Sequence, residues 1–421
     1  MLARLSILPI LLLAALPAQS KGATKAPRPR GGSTITEFPI EGVAPIEVEA
    51  ASAKALKALV GLEEEGGQWP YEGVYREDRG NLPVGYRVGG TSLTILGMLS
   101  VPGLDEDSWR QQAVERALRF VLETLDHERM QIGFKGGYDV RGWGQIYALT
   151  CLLHLRDAKR VPAELAETVA KKTEWLVKAL VESAIPESGG WNYSRRRGYK
   201  NPRNGASTFM TAPALQALFH AKDRGYDVPD EVIEQALAAL ERSRSKQGGY
   251  AYQVPGKNRN DADDSDLHFM DKTPGGAARV AACETTLMLA GRGDAGRLEK
   301  ALALFFDHWE DLAVRKSQRG THIEPYGIAP YYFMFGHLYC AQAIEMIDDG
   351  DKRKASRSRM LQVLAWSREG NGSWNDRQFP RSAGYGTAMA LMAMHMPRLP
   401  ELHEWRAGAK EETPAESKGG K

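Results

Sequence analysis

Five carboxylates crowd one short stretch of this chain, "NDADDSDLHFMDK": Asp261, Asp263, Asp264, Asp266 and Asp271. Three chemistries are open to Asp261-Ala-Asp263-Asp264: a proton donor, a set of oxygen ligands for a cation, or a charged loop that pairs with its neighbours. A donor that protonates an alkene needs strong activation, whereas aspartates in a polar loop titrate near their ordinary values. As a calcium loop, Asp261, Asp263 and Ser265 fill the first, third and fifth places. Asp266 then stands where the turn needs Gly, and Lys272 where the bidentate Glu belongs, so the EF-hand pattern fails. A looser oxygen site at Asp261, Asp263 and Asp264 stays open. A second stretch, "YSRRRGYKNPRN", carries the opposite charge on Arg195, Arg196, Arg197, Lys200 and Arg203. Its guanidinium groups suit a bidentate clamp for carboxylate or phosphate, or pairing with the acidic stretch.

Other chemistry-bearing residues lie in apolar runs. Glu284 in "ACETT", with Arg279 five residues before it, is costly to bury unless paired. "DVRGWGQIY" offers Asp139, Arg141, Trp143, Gln145 and Tyr147, and a later stretch offers His322, Glu324, Tyr326, Tyr331, Tyr332 and His337. A buried carboxylate beside His or Tyr is an acid–base pair or a structural network. Glu284, His337, Tyr332 and Asp139 are therefore the catalytic candidates. Arg141, Trp143, Arg195, Arg196, Arg197, Tyr326 and Tyr331 are the substrate contacts. Cys151 with His154, and His337 with Cys340, have the one-turn spacing of zinc ligands or of packed core residues. The Gly-x-Ser-x-Gly nucleophile motif and the phosphate-binding P-loop are absent.

The elements that position these residues follow from a repeat. A Gly-rich aromatic hinge recurs in "EEEGGQWPY", "FKGGYDV", "ESGGWNY", "KQGGYAY" and "GNGSWND", with "HIEPYGIAP" as a degenerate member. An amphipathic segment precedes each hinge, as in Ile233, Ala236, Leu237 and Leu240, or Leu298, Leu302, Phe305, Phe306 and Trp309. That spacing puts the apolar groups on one helical face. A run that is apolar on most faces follows each hinge, from "TSLTILGMLS" to "YGTAMALMAMHM". Such helices are buried on both sides. The pattern predicts an all-α closed (α/α)6 toroid, with six helical hairpins in an inner and an outer ring. The connections differ most between hinge and inner helix, being short from Gly137 to Trp143 and long from Gly249 to Arg279. The long ones gather at one end of the ring, which is the expected mouth of a central cavity.

The Gly-Gly-aromatic hinges resemble the prenyltransferase and squalene-oxidase repeat of terpenoid cyclases and protein prenyltransferases over residues 51–400. The last third is similar to exported toroids of that superfamily common in planctomycetes. The resemblance implies a site in the central cavity and an isoprenoid ligand, whereas the Arg-rich stretch would suit an acidic sugar polymer, as in polysaccharide lyases with related toroids. In the cyclases an Asp-x-Asp-Asp motif leads directly into an inner helix, whereas here the next inner helix is expected near Arg279. Cation chemistry also wants an aromatic lining, and aromatics concentrate in "APYYFMFGHLY". The zinc set of protein prenyltransferases lacks its Asp-x-Cys element, because Ala281 stands in that place. The two Cys/His pairs fall on opposite inner helices.

At 421 residues, 43% hydrophobic and 26% charged, the chain is compositionally a globular protein, and a net charge of +2 gives no field for nucleic acid or an anionic membrane. "MLARLSILPILLLAALPAQS" has the basic start, short apolar core and small-x-small end of a secretory signal. The expected organisation is a signal at 1–20, a linker at 21–50, the toroid at 51–400 and a charged tail at 401–421. The location is then periplasmic or secreted, without stable membrane insertion. Three cysteines, odd in number and far apart, are expected as free thiols. No cofactor is expected, zinc and calcium remaining alternatives. Two functions stay open: a catalytic or binding toroid for a small molecule or glycan, and a non-catalytic scaffold for a protein or glycan.

Overall fold

The computed structural model describes residues 42–73, 82–134, 140–193, 205–256, 259–318, 320–377 and 379–408. The amphipathic segments form α1 (Val48–Val60), α3 (Ser108–Thr124), α5 (Ala166–Ser183), α7 (Asp230–Arg242), α9 (Ala295–Asp307) and α12 (Gly350–Ser367). A short α10 (Trp309–Arg315) continues α9. The apolar runs form α2 (Val84–Ser100), α4 (Arg141–Asp157), α6 (Thr208–Asp223), α8 (Thr273–Leu289), α11 (Tyr332–Glu345) and α13 (Ser382–His395). An amphipathic helix buries one stripe, as α7 buries Ile233, Ala236, Leu237 and Leu240. Every residue of α13 is buried, which marks a helix packed on all sides. Asp107, Asp294 and Asp349 start α3, α9 and α12 by accepting backbone N–H bonds that the first turn leaves unpaired.

Successive inner helices pack side by side, α2 on α4, then α6, α8, α11 and α13. α13 packs in turn on α2, which completes the cycle. Each outer helix packs on the inner helix that precedes it in the chain, α3 on α2 and α9 on α8. The sixth pair joins the two ends of the chain, because α1 packs on α13. There Ser52 Oγ and His395 Nε2 lie 2.8 Å apart in a buried hydrogen bond.

The hinges explain the repeat. Trp69, Trp191 and Trp374 are fully buried and make the same two bonds. Each indole N–H donates to a carbonyl in the last turn of the outer helix before it, at Leu59, Leu180 and Leu364 (2.8–2.9 Å). Each backbone N–H donates to a threonine of the inner helix after it, at Thr91, Thr211 and Thr387 (2.9–3.1 Å). The aromatic therefore ties the end of one helix to the start of the next. The glycines before it meet two demands at once. Gly189 has φ +71°, and a Cβ there would lie 2.2 Å from the Gln235 carbonyl oxygen of α7. Thr211→Val leaves the Trp191 N–H buried without an acceptor. It is expected to cost about 1–2 kcal/mol in urea denaturation, with Thr211→Ser close to the parent.

Three boundaries differ from expectation. α1 begins at Val48, inside the segment expected to be linker. α8 begins at Thr273 rather than near Arg279, so the acidic stretch does lead into an inner helix. Beyond α13, the first part of the segment expected to be a charged tail packs down, with Trp405 buried. The signal segment lies outside the described residues, as do most of the linker and the chain beyond residue 408.

Candidate functional site

The six inner helices send side chains into one cavity, including Leu96, Tyr147, Gln216, Leu289, Leu338 and Met392. It holds ≈ 1360 Å³ of empty space, its open mouth included. Leucine and methionine supply most of its apolar surface, and Thr150, Gln216 and Gln342 stand among them. At its floor stand Tyr147 of α4 and Tyr339 of α11, which share a hydrogen bond across the ring. Burial pushes both phenols up, so the pair is neutral. Below this floor, toward the hinges, the interior is packed with aromatic rings. Trp143 lies 5.1 Å from Tyr147, and Tyr71 lies 4.4 Å from Tyr385. Phe209 of α6 lies 4.3 Å from Phe335 of α11. Among the described residues the cavity thus opens at the end opposite the hinge loops. The sequence placed the mouth at the hinge end, where much of the inserted chain lies outside the described residues.

A strap crosses the mouth. After α13 the chain runs through Leu399 and His403 along the cavity edge. It then docks beside α6 and α8, where the Trp405 N–H donates to the Leu289 carbonyl (3.1 Å) and the Trp405 ring stacks on Phe219. Since α13 adjoins α2 and α11, α6 is the helix opposite it in the ring. The strap therefore spans the opening.

Where the strap meets α4 and α6, polar groups converge. The His403 ring stacks on His220 at 3.8 Å between centroids, and His154 meets His220 edge-on at 5.0 Å. The His220 Nε2 lies 2.7 Å from an Asp157 oxygen, and Arg224 donates to both oxygens of the same carboxylate. Burial opposes ionisation of Asp157, but the bonds from Arg224 and His220 overrule it and hold the carboxyl down at about 2. Burial drives His220 down to about 3, against the pull of Asp157. At neutral pH this is a carboxylate facing neutral imidazole.

The structure separates the residues proposed from sequence. Asp139, Arg195, Arg196 and Arg197 lie outside the described residues. Glu284 and His337, proposed as catalytic, face the outer ring instead of the cavity. Glu284 accepts from Arg244 Nε and the Tyr250 hydroxyl at 2.9 Å and faces Arg297 of α9 at 2.8 Å. The Trp309 indole donates to His337 Nε2 (2.9 Å), and Nδ1 bonds the Phe333 carbonyl, so both ring nitrogens are engaged. Arg141, proposed as a substrate contact, is buried and donates to the carbonyls of Gln131 and Phe134. Trp143 does face the interior, among Tyr71, Tyr86 and Tyr147. Tyr331 bonds His322 (3.0 Å), Tyr332 is buried beneath the Arg279 guanidinium, and Tyr326 is half-buried at its hinge.

The aspartates of the opening stretch hold loops together. Asp263 accepts from Gln247 (3.1 Å) and Lys246, and Asp264 caps α8 by accepting from the Thr273 N–H (2.8 Å). Asp261 is exposed. None of the three belongs to a metal-compatible cluster among the described residues. The cysteines Cys151, Cys283 and Cys340 are buried free thiols, pushed up by burial.

No family model and no curated protein matches the chain. Solved structures do. The type II terpene cyclase MstE from Scytonema, with its product merosterolic acid A, aligns with a TM-score of 0.51 at 14% identity, covering 84% of this chain and 98% of the cyclase. The GH76A α-1,6-mannanase from Salegentibacter aligns with a TM-score of 0.52 at 11% identity, covering 83% of this chain and 99% of the mannanase. The fold is a terpenoid-cyclase-like α/α toroid. At these identities the likeness concerns the fold.

Sequence reasoning missed two features of this toroid. One is the Asp157–His220–His403 cluster. The other is Asp376 in the last hinge, which is fully buried, with neither carboxylate oxygen meeting a hydrogen-bond donor on another described residue. Burial raises its carboxyl to about 7, against the opposing charges of Arg377 and Lys316. Arg377 beside it is also buried, donates to the Tyr71 hydroxyl (3.0 Å) and lies over the Tyr331 ring. A signal was present, since Asp376 and Arg377 directly follow the hinge motif "GSWN". No described helix of the toroid is long and apolar enough to cross a membrane.

Proposed function

We propose that the protein is an exported toroid that takes an apolar small molecule in its central cavity, with a polar end held at the His220 mouth. One observation carries this reading: all six inner helices contribute to a single cavity whose lining surface is mostly apolar, with a smaller number of polar groups such as Gln216, Gln342 and His220. Ligand sites are built in this way, mostly apolar with a few polar groups that fix orientation. A glycan is the less suitable occupant. Many of its hydroxyl groups would lie against Leu93, Leu96, Leu338 and Met392, with Thr150, Gln216 and Gln342 able to pair only a few of them.

The test is native mass spectrometry of the protein purified from its own secretory route. A co-purified apolar ligand is expected, and the intact mass of the same sample reads whether the chain is cut near Ser20. The site is then checked with cis-parinaric acid, a fluorescent fatty-acid probe. Leu99 is half-buried at the cavity wall, so Leu99→Trp fills space without entering the core. It is expected to weaken the probe about tenfold or more, equivalent to about 1.4 kcal/mol. Equal affinity in parent and variant would place the ligand elsewhere.

A further inference from the structure

We propose that Asp157, His220 and His403 bind one divalent transition-metal ion of the zinc type at the mouth of the cavity. The inference stands apart from whatever occupies the cavity itself. Each residue offers a ligand atom, and these atoms lie within 4.8 Å of one another. Side-chain movements of about an ångström bring them to the bond lengths of about 2.0–2.2 Å that nitrogen and oxygen make to zinc. Two imidazoles and a carboxylate form a donor set of intermediate softness, suited to zinc and its neighbours rather than to calcium or magnesium.

The surroundings hold the donors in place. His403 Nδ1 lies 2.9 Å from Asp223 Oδ2, which only accepts. The proton therefore sits on Nδ1, and Nε2 carries the free lone pair. Asp157 is oriented by Arg224 through Nε (2.8 Å) and Nη2 (2.9 Å). The contact between His220 Nε2 and Asp157 Oδ2 is the one the ion would replace. His154 adds another imidazole beside the trio, with its Nδ1 committed to the Thr150 carbonyl (2.8 Å). The charge also favours a cation, since Asp157, Asp223 and Glu401 stand against Arg224 at this mouth.

The three ligands come from three elements: α4, α6 and the strap. Binding would therefore clasp the strap to the ring. Zinc would act here without a thiolate, because Cys151, one turn before His154, is buried with its thiol raised.

The test uses the full chain, stripped with chelator and titrated with Zn²⁺ alone and then with Co²⁺ as a spectroscopic substitute. One equivalent of zinc is expected, along with cobalt d–d bands and no thiolate charge-transfer band. His403 is on the strap, so His403→Gln leaves the helical ring unaltered. It is expected to weaken zinc by at least about tenfold and to abolish the rise in melting temperature that zinc gives the parent. The near-isosteric Asp157→Asn is expected to do the same, whereas Cys151→Ser binds like the parent. The proposal is overturned by sub-stoichiometric zinc, by a thiolate band, or by His403→Gln and Asp157→Asn binding as tightly as the parent.

Discussion

Asp376→Asn is expected to make the protein more stable at pH 8 by about 4 kcal/mol and to change little at pH 3. The expectation follows from an acid whose carboxyl is raised from 3.8 to about 7 by burial. At about 1.36 kcal/mol per unit, that displacement is worth about 4 kcal/mol. The sign is fixed by proton binding. Between about pH 4 and 7 the folded chain keeps a proton that the unfolded chain has released, so raising the pH favours unfolding. Below that window both states hold the proton and the group contributes nothing. Above it, the folded state carries a buried carboxylate whose lost hydration Arg377 and Lys316 only partly offset. Asparagine keeps the shape and cannot ionise. The measurement is urea denaturation of parent and variant from pH 3 to 8. The difference between them is the informative quantity, since other carboxylates such as Asp157 affect both alike. Parallel curves would show that Asp376 does not ionise in this range. Proteins retain such costs most readily where a residue has work to do, which makes Asp376 the first side chain to vary once a substrate is in hand.

Glu284→Ala is expected to destabilise the protein by about 3–5 kcal/mol, the scale seen when one partner of a buried ion pair is removed. The carboxylate is 2% exposed and sits between Arg244, Arg297 and Tyr250, which come from just beyond α7, from α9 and from the fourth hinge. Its loss leaves two guanidinium groups partly buried without their anion and the Tyr250 hydroxyl without an acceptor. Thermal and urea melts read the effect. A variant of parental stability that had lost a measured turnover would return Glu284 to the catalytic role first assigned to it.

The outer helices were legible because solvent gives them contrast. α7 and α9 bury the residues their periodicity selects. Inner helices offer no such contrast. A helix buried all round carries no mark of which face meets the lumen and which meets the outer ring. That is why Glu284 and His337 read as cavity residues. It is also why the aromatic interior was hard to read, since Trp143 and Tyr385 (6.1 Å), and Phe209 and Phe335 (4.3 Å), come from separate helices and meet only in the fold. The start of α8 was hidden for another reason. "TPGG" reads as a turn, yet proline suits the first turn of a helix. Gly275 is needed there because a Cβ would lie 2.2 Å from the Tyr326 carbonyl oxygen. The metal cluster was out of reach because His403 lies in a segment without hydrophobic periodicity.

The pairing of α1 with α13 bears on how the molecule comes into being. A ribosome delivers the chain from its N-terminus, and local hairpins can form as they emerge. The surface of α1 that receives α13 has no partner until nearly the whole sequence has been made. The surfaces of α1 and α2 that pack on α13 can be covered only after α13 itself has been made. The bond between Ser52 and His395, 343 residues apart, is among the last that can form. The strap follows α13 directly, so the step that closes the circle also brings His403 to the cavity mouth.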